Sequence, residues 1–290
     1  MAFLDKKIHD VYIHFMYHYF QAIDWTIGTN KAVKGVTLNK KTLSEKVIDL
    51  PPINIQHEIA ERMDTLNAVT ENLQRQLCLL DELVKSQFVE LFGDPNDASL
   101  SGERKSIEDV CDNIYGGGTP SKSHKEYYTG NIPWVTPKDM KTLSLDDSQD
   151  HITIEAIENS STSLIPEKSI LMVIRSGILK HTLPVAINNV KVTINQDMKA
   201  FVPSSILTSE YLLHAFKMME DSILSKVRGV TADNIEFNEL KKRRIIVPSI
   251  TLQNQFAAFV EQVDKSKLVL RQLLEKQKTL KAALMQEYFF

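Results

Sequence analysis

Two long stretches of the chain carry hydrophobic residues at the spacing of one helical face. In the first, from residue 53 to 92, the apolar positions advance in alternating steps of four and three, missing only at Thr70; they are Ile59, Met63, Leu66, Leu73, Leu77, Leu80, Val84 and Leu91. This spacing predicts a coiled-coil seam. The stretch follows Pro51-Pro52, contains neither glycine nor proline, and stops at Gly93-Asp94-Pro95, which are typical helix-boundary residues.

The second stretch begins after Pro248 and has a similar pattern. Its predicted apolar stripe comprises Phe256, Phe259, Val263, Leu270, Leu273, Leu280 and Leu284. A helix of about 40 residues is about 60 Å long, and neither helix can bury its stripe alone. We therefore expect the two helices to pair with each other; pairing with a partner chain is the alternative that the pattern leaves open.

The two helix starts belong to an internal repeat. "DLPPINIQHEI" at residues 49–59 aligns with "IVPSITLQNQF" at 246–256, which places Pro51 on Pro248 and Gln56 on Gln253. Upstream, "YIHFMYHYF" at 12–20 resembles "YLLHAFKMM" at 211–219, and both are predicted as short amphipathic helices. Residues 1–50 therefore resemble the end of a globular unit whose complete version spans 94–250, so we expect the chain to begin inside a repeat.

The stretch between the long helices has the pattern of an α+β domain. Short β-branched runs bounded by Gly, Pro and Asn predict strands at "IPWVTP", "SILMVIRSG", "LPVAIN", "VKVTINQDMKAFVPS" and "KRRIIVP". Helices are predicted near Lys105–Cys111 and Ser209–Lys226. We expect a curved, mostly antiparallel sheet with helices packed on it.

Composition is typical of a globular, cytoplasmic protein. Hydrophobic residues make up 43% and charged residues 24% of the chain, and no apolar run reaches the roughly 20 residues of a membrane helix. Two cysteines, Cys78 and Cys111, fit neither a disulfide framework nor a zinc site. The net charge of −3 does not itself indicate nucleic-acid binding, yet residues 170–245 hold 11 Lys and Arg against 7 Asp and Glu.

The sequence contains no catalytic constellation. "YGGGTPSK" at residues 115–122 is not a phosphate-binding P-loop, because its glycines are contiguous and Lys122 follows a serine. Methyltransferase and nucleophile-elbow motifs are also missing. His14 and His18 have a spacing that suits a metal, but no third ligand accompanies them. We expect no enzyme activity, no metal and no cofactor on this chain.

Residues that suit DNA contacts recur at the predicted loop tips of the globular unit. Arg and Lys read guanine, Asn and Gln read adenine, and hydroxyl or backbone groups bind phosphate. The candidates are Gly117, Gly118, Thr119, Ser121, Lys122, Lys138, Arg175, Ser176, Lys180, Asn195, Gln196, Lys226, Arg228 and Thr231. Glycines let a backbone approach a ligand closely, so the glycine run is interpreted as a phosphate-facing loop; a simple turn is the alternative.

At these residues the sequence resembles a known family. "GGGTPSKSHKEYYTGNIPWVTPKDM", followed by "SILMVIRSG" and "INQDM", looks like a target recognition domain of type I restriction–modification specificity subunits. "IDLPPINIQHEI" and "IIVPSITLQNQF" resemble the starts of that family's two spacer helices. The resemblance covers nearly the whole chain. It implies the tail of a first recognition domain at 1–50, spacer helices at 51–93 and 251–290, and a complete recognition domain at 94–250.

The resemblance implies a non-catalytic protein that reads DNA. In the family, two recognition domains each bind one half of a bipartite sequence, and the spacer helices pair antiparallel to hold them at a fixed separation. Methyltransferase subunits, which carry S-adenosylmethionine, dock on the helices, and restriction and translocase subunits join them. With one complete recognition domain, this chain is expected to read one half-site, and self-association or pairing with another specificity chain would supply the second.

A coiled-coil scaffold without DNA binding is the alternative function. It explains the two helices equally well but gives the motif-bearing globular unit no role. Membrane association is not expected under either interpretation.

Overall fold

The computed structural model describes residues 10–23, 48–97, 99–228 and 233–290. Its helices are α1 Ile13–Ala22, α2 Ile53–Phe92, α3 Ile154–Glu158, α4 Ser209–Met218, α5 Glu220–Arg228, α6 Phe237–Leu240 and α7 Ile250–Phe289. Its strands are β1 Arg104–Ser106, β2 Cys111–Gly116, β3 Ile132–Val135, β4 Ser144–Leu145, β5 His151–Ile152, β6 Ile170–Val173, β7 Val185–Asn188, β8 Thr193–Ile194, β9 Met198–Pro203 and β10 Arg244–Ile246. The chain forms two compact units, residues 1–80 with 264–290 and residues 81–263.

Both predicted long helices are present, and in the first unit they pair antiparallel. Arg62 of α2 donates a 2.7 Å hydrogen bond to the Tyr288 hydroxyl of α7, whereas the Leu66 carbonyl accepts from Gln277 at 3.3 Å. The residue numbers rise on one helix as they fall on the other. Gly93, at φ +78°, ends α2 by donating its N–H to the Val89 carbonyl at 2.8 Å. In the described ranges, no helix is long and apolar enough to cross a membrane.

The apolar stripe of α2 lies where the sequence predicted it, and the stripe of α7 departs from the prediction at two of its seven positions. Leu273 and Leu280, predicted inside, are 46% and 48% exposed. The buried or half-buried face also includes Val260, Lys267, Leu274, Gln277 and Lys281. The seven-residue repeat continues through polar side chains, which hydrophobicity alone does not detect. Across the helix pair, Lys281 donates to the Asn67 side-chain oxygen at 2.6 Å.

Gln56 connects the start of α2 to the chain before α1. Its side chain is fully buried. Its amide nitrogen donates to the carbonyls of Pro51 at 2.7 Å and Asp10 at 2.8 Å, and its oxygen accepts from the Tyr12 backbone at 2.9 Å. Buried backbone groups need partners, so this one amide satisfies three of them.

Gln253 repeats the arrangement in the second unit. It is also fully buried. Its nitrogen donates to the carbonyls of Pro248 and Ile206, both at 2.9 Å, and its oxygen accepts from the Thr208 backbone at 2.8 Å. The repeat predicted from sequence is therefore confirmed at these positions by a shared hydrogen-bond set.

The same hydrogen bonds correct the upstream alignment by three residues. Because Tyr12 and Thr208 occupy equivalent positions, α1 aligns with α4 from first residue to last, rather than residue 12 with residue 211. Phe15 then matches Tyr211, and the buried His18 matches the buried His214. The sequence match was misplaced because the apolar residues of a short helix recur every three or four positions.

The second unit is an α+β domain in which antiparallel pairing predominates. A central sheet has the strand order β2-β9-β6-β7-β4, a smaller one the order β5-β3-β8, and β1 pairs with β10. The pairs β3–β8 and β4–β7 are parallel, and the other ladders are antiparallel. Every residue of β6 and β7 is buried, and α4 packs against both strands.

The strand predictions agree with the structure, but the helix predicted at Lys105–Cys111 is wrong. That segment contains the end of β1, a turn and the start of β2. Ile107 and Val110 are fully buried at a helical spacing, yet the Ile107 N–H donates to the Arg243 carbonyl at 2.9 Å. Pairing with a strand far along the chain therefore overrides the local pattern. The other predicted helical stretch forms α4 and α5.

Candidate nucleic-acid interface

The glycine run after β2 is explained by close packing within the protein. A Cβ atom on Gly117 would lie 1.8 Å from the Asn195 carbonyl oxygen, and one on Gly118 would lie 2.4 Å from Ser161 Oγ. Both distances are far below van der Waals contact, so only glycine fits. From the sequence we expect the missing side chains to let a ligand come close. In the structure, they let other parts of the same chain come close.

The backbone of Gly118 is also occupied within the fold. Its N–H donates to the Ile194 carbonyl at 3.0 Å, and its carbonyl accepts from the Trp134 indole at 3.0 Å. The expectation that this buried backbone faces phosphate is therefore wrong. The loop is held further by Tyr128, whose hydroxyl donates to the Pro120 carbonyl at 2.7 Å. Burial and the nearby Asp150 carboxylate raise the pKa of Tyr128, so the hydroxyl keeps its proton.

This anchored loop forms part of an open groove of about 760 Å³ in the second unit. The groove, called the recognition groove below, is lined by six candidates from the sequence: Thr119, Lys122, Lys138, Ser176, Asn195 and Gln196. They come from four separate segments of the chain. Side chains that sequence reasoning did not select also line it, among them Lys125, Tyr128, Thr136, Asp150 and Asp197.

Three exposed lysines give the recognition groove its positive charge. Lys122, Lys125 and Lys138 have no hydrogen bond or ion pair within the described ranges. Lys138 is at the tip of a turn that Asp139 stabilises by accepting from the Thr136 N–H at 2.8 Å. Lys125 begins a 3₁₀ turn, Lys125–Tyr128, only three residues after Lys122. That proximity was the sequence signal that would have identified it.

The turn between β8 and β9 separates the roles of two neighbouring candidates. Asn195 is only 7% exposed, and its side chain exchanges hydrogen bonds with Asp197 at 3.1 and 3.2 Å. Its backbone N–H donates to the Val135 carbonyl at 3.0 Å. The sequence predicts that Asn195 contacts DNA, but in the structure its side chain is buried and stabilises the turn. Gln196 is exposed, and its amide oxygen accepts a hydrogen bond from the Thr119 hydroxyl.

The three candidates that follow β6 differ in the polar contacts that their side chains make within the protein. Arg175 is 65% exposed and lies 4.0 Å from the Asp197 carboxylate, at the long limit of an ion pair. The Ser176 hydroxyl caps the 3₁₀ turn Gly177–Lys180 by accepting from the Ile178 N–H. Lys180 lies 3.0 Å from Asp233. Of the three, Arg175 has the longest polar contact, and Ser176 alone lines the recognition groove.

The remaining candidates are only partly accounted for. Ser121 is exposed and shares a 2.7 Å hydrogen bond with Ser123. Thr231 and the side chains of Lys226 and Arg228 lie outside the described residues. Their proposed DNA contacts remain predictions.

Comparison with protein families identifies the chain. The model of the type I restriction modification DNA specificity domain matches residues 1–79 and 102–280. The chain belongs to this family. The specificity subunit of the Escherichia coli type I restriction enzyme EcoR124I/EcoR124II is 36% identical over 233 residues, covering 76% of this chain and 56% of that protein. The specificity subunit of the Methanocaldococcus jannaschii enzyme MjaIX is 31% identical over 180 residues, covering 59% of this chain and 40% of that protein. The chain spans about half the length of these relatives.

Solved structures share the fold of this specificity-family chain. The S subunit of a type I restriction-modification system from M. genitalium has a TM-score of 0.57 at 14% identity, covering 95% of this chain and 72% of that one. A chain from a structural study of assembly and conformational transition in the type I R-M system has a TM-score of 0.62 at 19% identity, covering 95% and 68%. At these identities the likeness concerns the fold alone.

The two histidines of α1 in this specificity-family chain face an acidic side chain on α2. His18, fully buried, lies 2.8 Å from Asp64, and the more exposed His14 lies 3.4 Å from the same carboxylate. Among the described residues, no group of three or more His, Cys, Asp or Glu side chains has an arrangement that could hold a metal ion.

Proposed function

We propose that this chain is a DNA-reading specificity subunit that recognises one half-site through its second unit. In the proposed division, residues 94–250 form the recognition domain, 51–93 and 251–290 the spacer helices, and 1–50 part of a further recognition domain. The chain itself catalyses nothing. Methyltransferase subunits, which carry S-adenosylmethionine, perform the chemistry in the cytoplasm, and restriction and translocase subunits complete the complex.

The recognition groove is the observation that carries the proposal. Five segments of the chain line it, and three of the lining residues are lysines without partners among the described residues. Such lysines suit phosphate contacts, because a Lys ammonium is a point charge with rotatable donors. An exposed amide and hydroxyl groups between them offer the chemistry that reads base edges. The combination of phosphate-binding and base-reading groups in one groove fits duplex DNA better than a small anion.

Salt dependence of DNA binding tests this assignment. If the lysines neutralise phosphates, log K should fall linearly with log salt by about 0.9 per phosphate. Lys122→Ala, Lys125→Ala and Lys138→Ala should each reduce that slope by about 1 without changing the preferred sequence. Lys191→Ala, an exposed lysine outside the groove, is the matched control. Unchanged slopes in all three groove variants would exclude the groove as the phosphate-binding surface.

Exposed apolar residues on the long helices support docking of methyltransferase subunits. In the first unit, Val69 and Leu79 of α2 and Leu268, Val269, Leu273 and Leu280 of α7 are between 42% and 56% exposed. Burial of apolar area is the main driving force of protein association. Leu273→Glu and Leu280→Glu should therefore weaken co-purification of the methyltransferase subunit while helicity stays unchanged. Full retention of the partner by both variants would place its docking surface elsewhere.

Sequence preference separates the proposal from the scaffold alternative. The full chain with its methyltransferase subunits should retain some duplex sequences over others at moderate salt. Binding to every duplex with equal affinity, or no binding, would favour a coiled-coil scaffold.

A further inference from the structure

Gln196 occupies the tip of a rigid turn in the recognition groove. The residue before it, Asn195, is buried and anchored by its backbone to β3, and Met198 donates its N–H to the Asn195 carbonyl at 3.2 Å. Asp197 on the other side exchanges hydrogen bonds with the Asn195 side chain. The exposed Gln196 side chain is thus carried by a backbone that has little freedom to move. Such support is what a precise polar contact requires.

Thr119 restricts the side chain itself. Its hydroxyl donates to the Gln196 amide oxygen, and Thr119 belongs to the loop that Gly118 anchors through Ile194 and Trp134. A glutamine amide oxygen has two lone pairs, and its nitrogen carries two N–H donors. With one lone pair occupied by Thr119, the amide still offers one acceptor and two donors to a ligand.

The other polar groups that line the groove are committed or chemically different. The Asn195 amide is bound to Asp197, and the Thr136 hydroxyl donates to Asp139 at 2.9 Å. Ser176 caps its own turn. The three lysines are positive point charges and suit phosphates. Gln196 is therefore the side chain of this groove that keeps an adjacent donor and acceptor available.

That pattern selects one base edge in the major groove of DNA. Adenine presents an acceptor, N7, beside a donor, the N6 amino group; guanine presents two acceptors there, and cytosine and thymine each present one polar group. Resting on the proposed function, we propose that Gln196 reads an adenine of the half-site and that Thr119 is the positioning residue that orients its amide. The Gln196 nitrogen would donate to N7, and its oxygen would accept from N6.

Selection from a duplex pool with randomised positions tests the proposal. The full chain, assembled with its methyltransferase subunits, is incubated with the pool, and the bound fraction is sequenced. Wild type should select adenine at a defined position, and Gln196→Ala should lower that preference by about 5- to 150-fold, the range of one bidentate base contact. Preferences at the other positions should stay. Gln196→Glu, which lacks N–H donors, should also lose adenine and shift toward cytosine, whose N4 amino group donates.

The positioning role has its own variants. Thr119→Val removes the hydroxyl at nearly constant shape and should lower the preference at the same position by about 2- to 12-fold, the range of one hydrogen bond. Thr119→Ser keeps a hydroxyl and should restore most of the preference. Lys191→Ala, outside the groove, is the control and should keep the sequence preference of the wild type. Because Gln196 is exposed, thermal unfolding of its variants should match wild type.

The outcomes separate this inference from the proposed function. Selection of no sequence by wild type defeats the proposed function, and the inference falls with it. A sequence-selective wild type whose preferences survive Gln196→Ala at every position defeats the inference alone. So does a half-site in which the position sensitive to Gln196 is not adenine. If Thr119→Val changes affinity equally for all sequences, Thr119 is not the positioning residue.

Discussion

The two copies of the helix-start module, α1 with the start of α2 and α4 with the start of α7, share the hydrogen bonds of their buried glutamine and differ in their apolar contacts. Gln56 and Gln253 make equivalent sets of three hydrogen bonds. Around the first, Phe15 packs with Ile59 and Met63; around the second, the cluster is aromatic and contains Phe88, Phe92, Tyr211 and Phe256. Hydrogen bonds constrain distance and direction, whereas apolar cores accept different residues of suitable volume.

Each long helix starts in one copy and contributes an aromatic ring from its end to the core of the other copy. The end of α7 supplies Phe289, 5.4 Å from the Phe15 ring, and the end of α2 supplies Phe92, 4.9 Å from the Tyr211 ring. Each module is therefore closed by the helix that starts in the other copy. A single repeat could not complete its own core, which explains why the amphipathic pattern of each helix must persist to its final turn.

Removal of a core ring should have the largest effect and should distinguish the copies. Phe256 is fully buried against Phe88 and Phe92, so Phe256→Ala should destabilise the second unit by about 3–5 kcal/mol. Ile59→Ala at the equivalent position removes a smaller side chain and should cost the first unit about 2–4 kcal/mol. Hydrogen exchange measured separately for amides of each unit reports both values. Leu252→Ala, on an exposed position of α7, is the control; equal losses from it would show that position on the helix, not burial, matters.

Replacing either glutamine should lower the free energy of unfolding of its own unit by a similar amount. Gln56→Ala and Gln253→Ala each leave two carbonyls and one N–H of the backbone without their partner, so each should cost its own unit about 2–3 kcal/mol. The same hydrogen-exchange experiment measures both. Gln76→Ala and Gln255→Ala, at exposed sites on the same helices, should change little. A twofold or larger difference between Gln56 and Gln253 would show that the shared geometry does not carry shared stability.

The smallest expected effect comes from the Tyr211 hydroxyl, which Phe15 lacks at the equivalent position of the first copy. Tyr211 donates its hydroxyl to the Ile246 carbonyl of β10 at 2.7 Å, and burial raises its pKa. Tyr211→Phe gives the second copy the residue found at Phe15 and should cost about 0.5–1.5 kcal/mol. Protection of the Ile246-paired strand β1 should fall with it in hydrogen exchange. No change would mean that water replaces the lost donor at no net cost.

Local patterns predicted the elements that depend on local forces. The long helices and the strands β3, β6, β7, β9 and β10 lie within the predicted stretches, because periodicity reports which face of an element is buried. The wrong helix at Lys105–Cys111 and the unexpected exposure of Leu273 and Leu280 have a common cause. In both, contacts with distant segments decided the outcome, and hydrophobicity could not show that Lys281 or Gln277 has a partner across the helix pair.

The sequence predicted several residues that line the groove, but it did not predict what each side chain does there. Residue chemistry identified Thr119, Lys122, Lys138 and Gln196, which the structure places together in one groove. It could not distinguish Asn195 from its neighbour Gln196, although one is a buried brace and the other an exposed amide. That difference depends on which side chain a turn directs inward.

The sequence alone therefore determined the two long helices, the repeat, the family and the kinds of side chain that suit DNA contacts, since each follows from local periodicity or from residue type. Only the tertiary structure decided that the glycine run packs against the protein's own backbone, that Gly118 has no free N–H, and that Thr119 meets Gln196 from a loop 77 residues away. These contacts join segments distant along the chain, and a long-range contact is fixed by the packing of the whole unit.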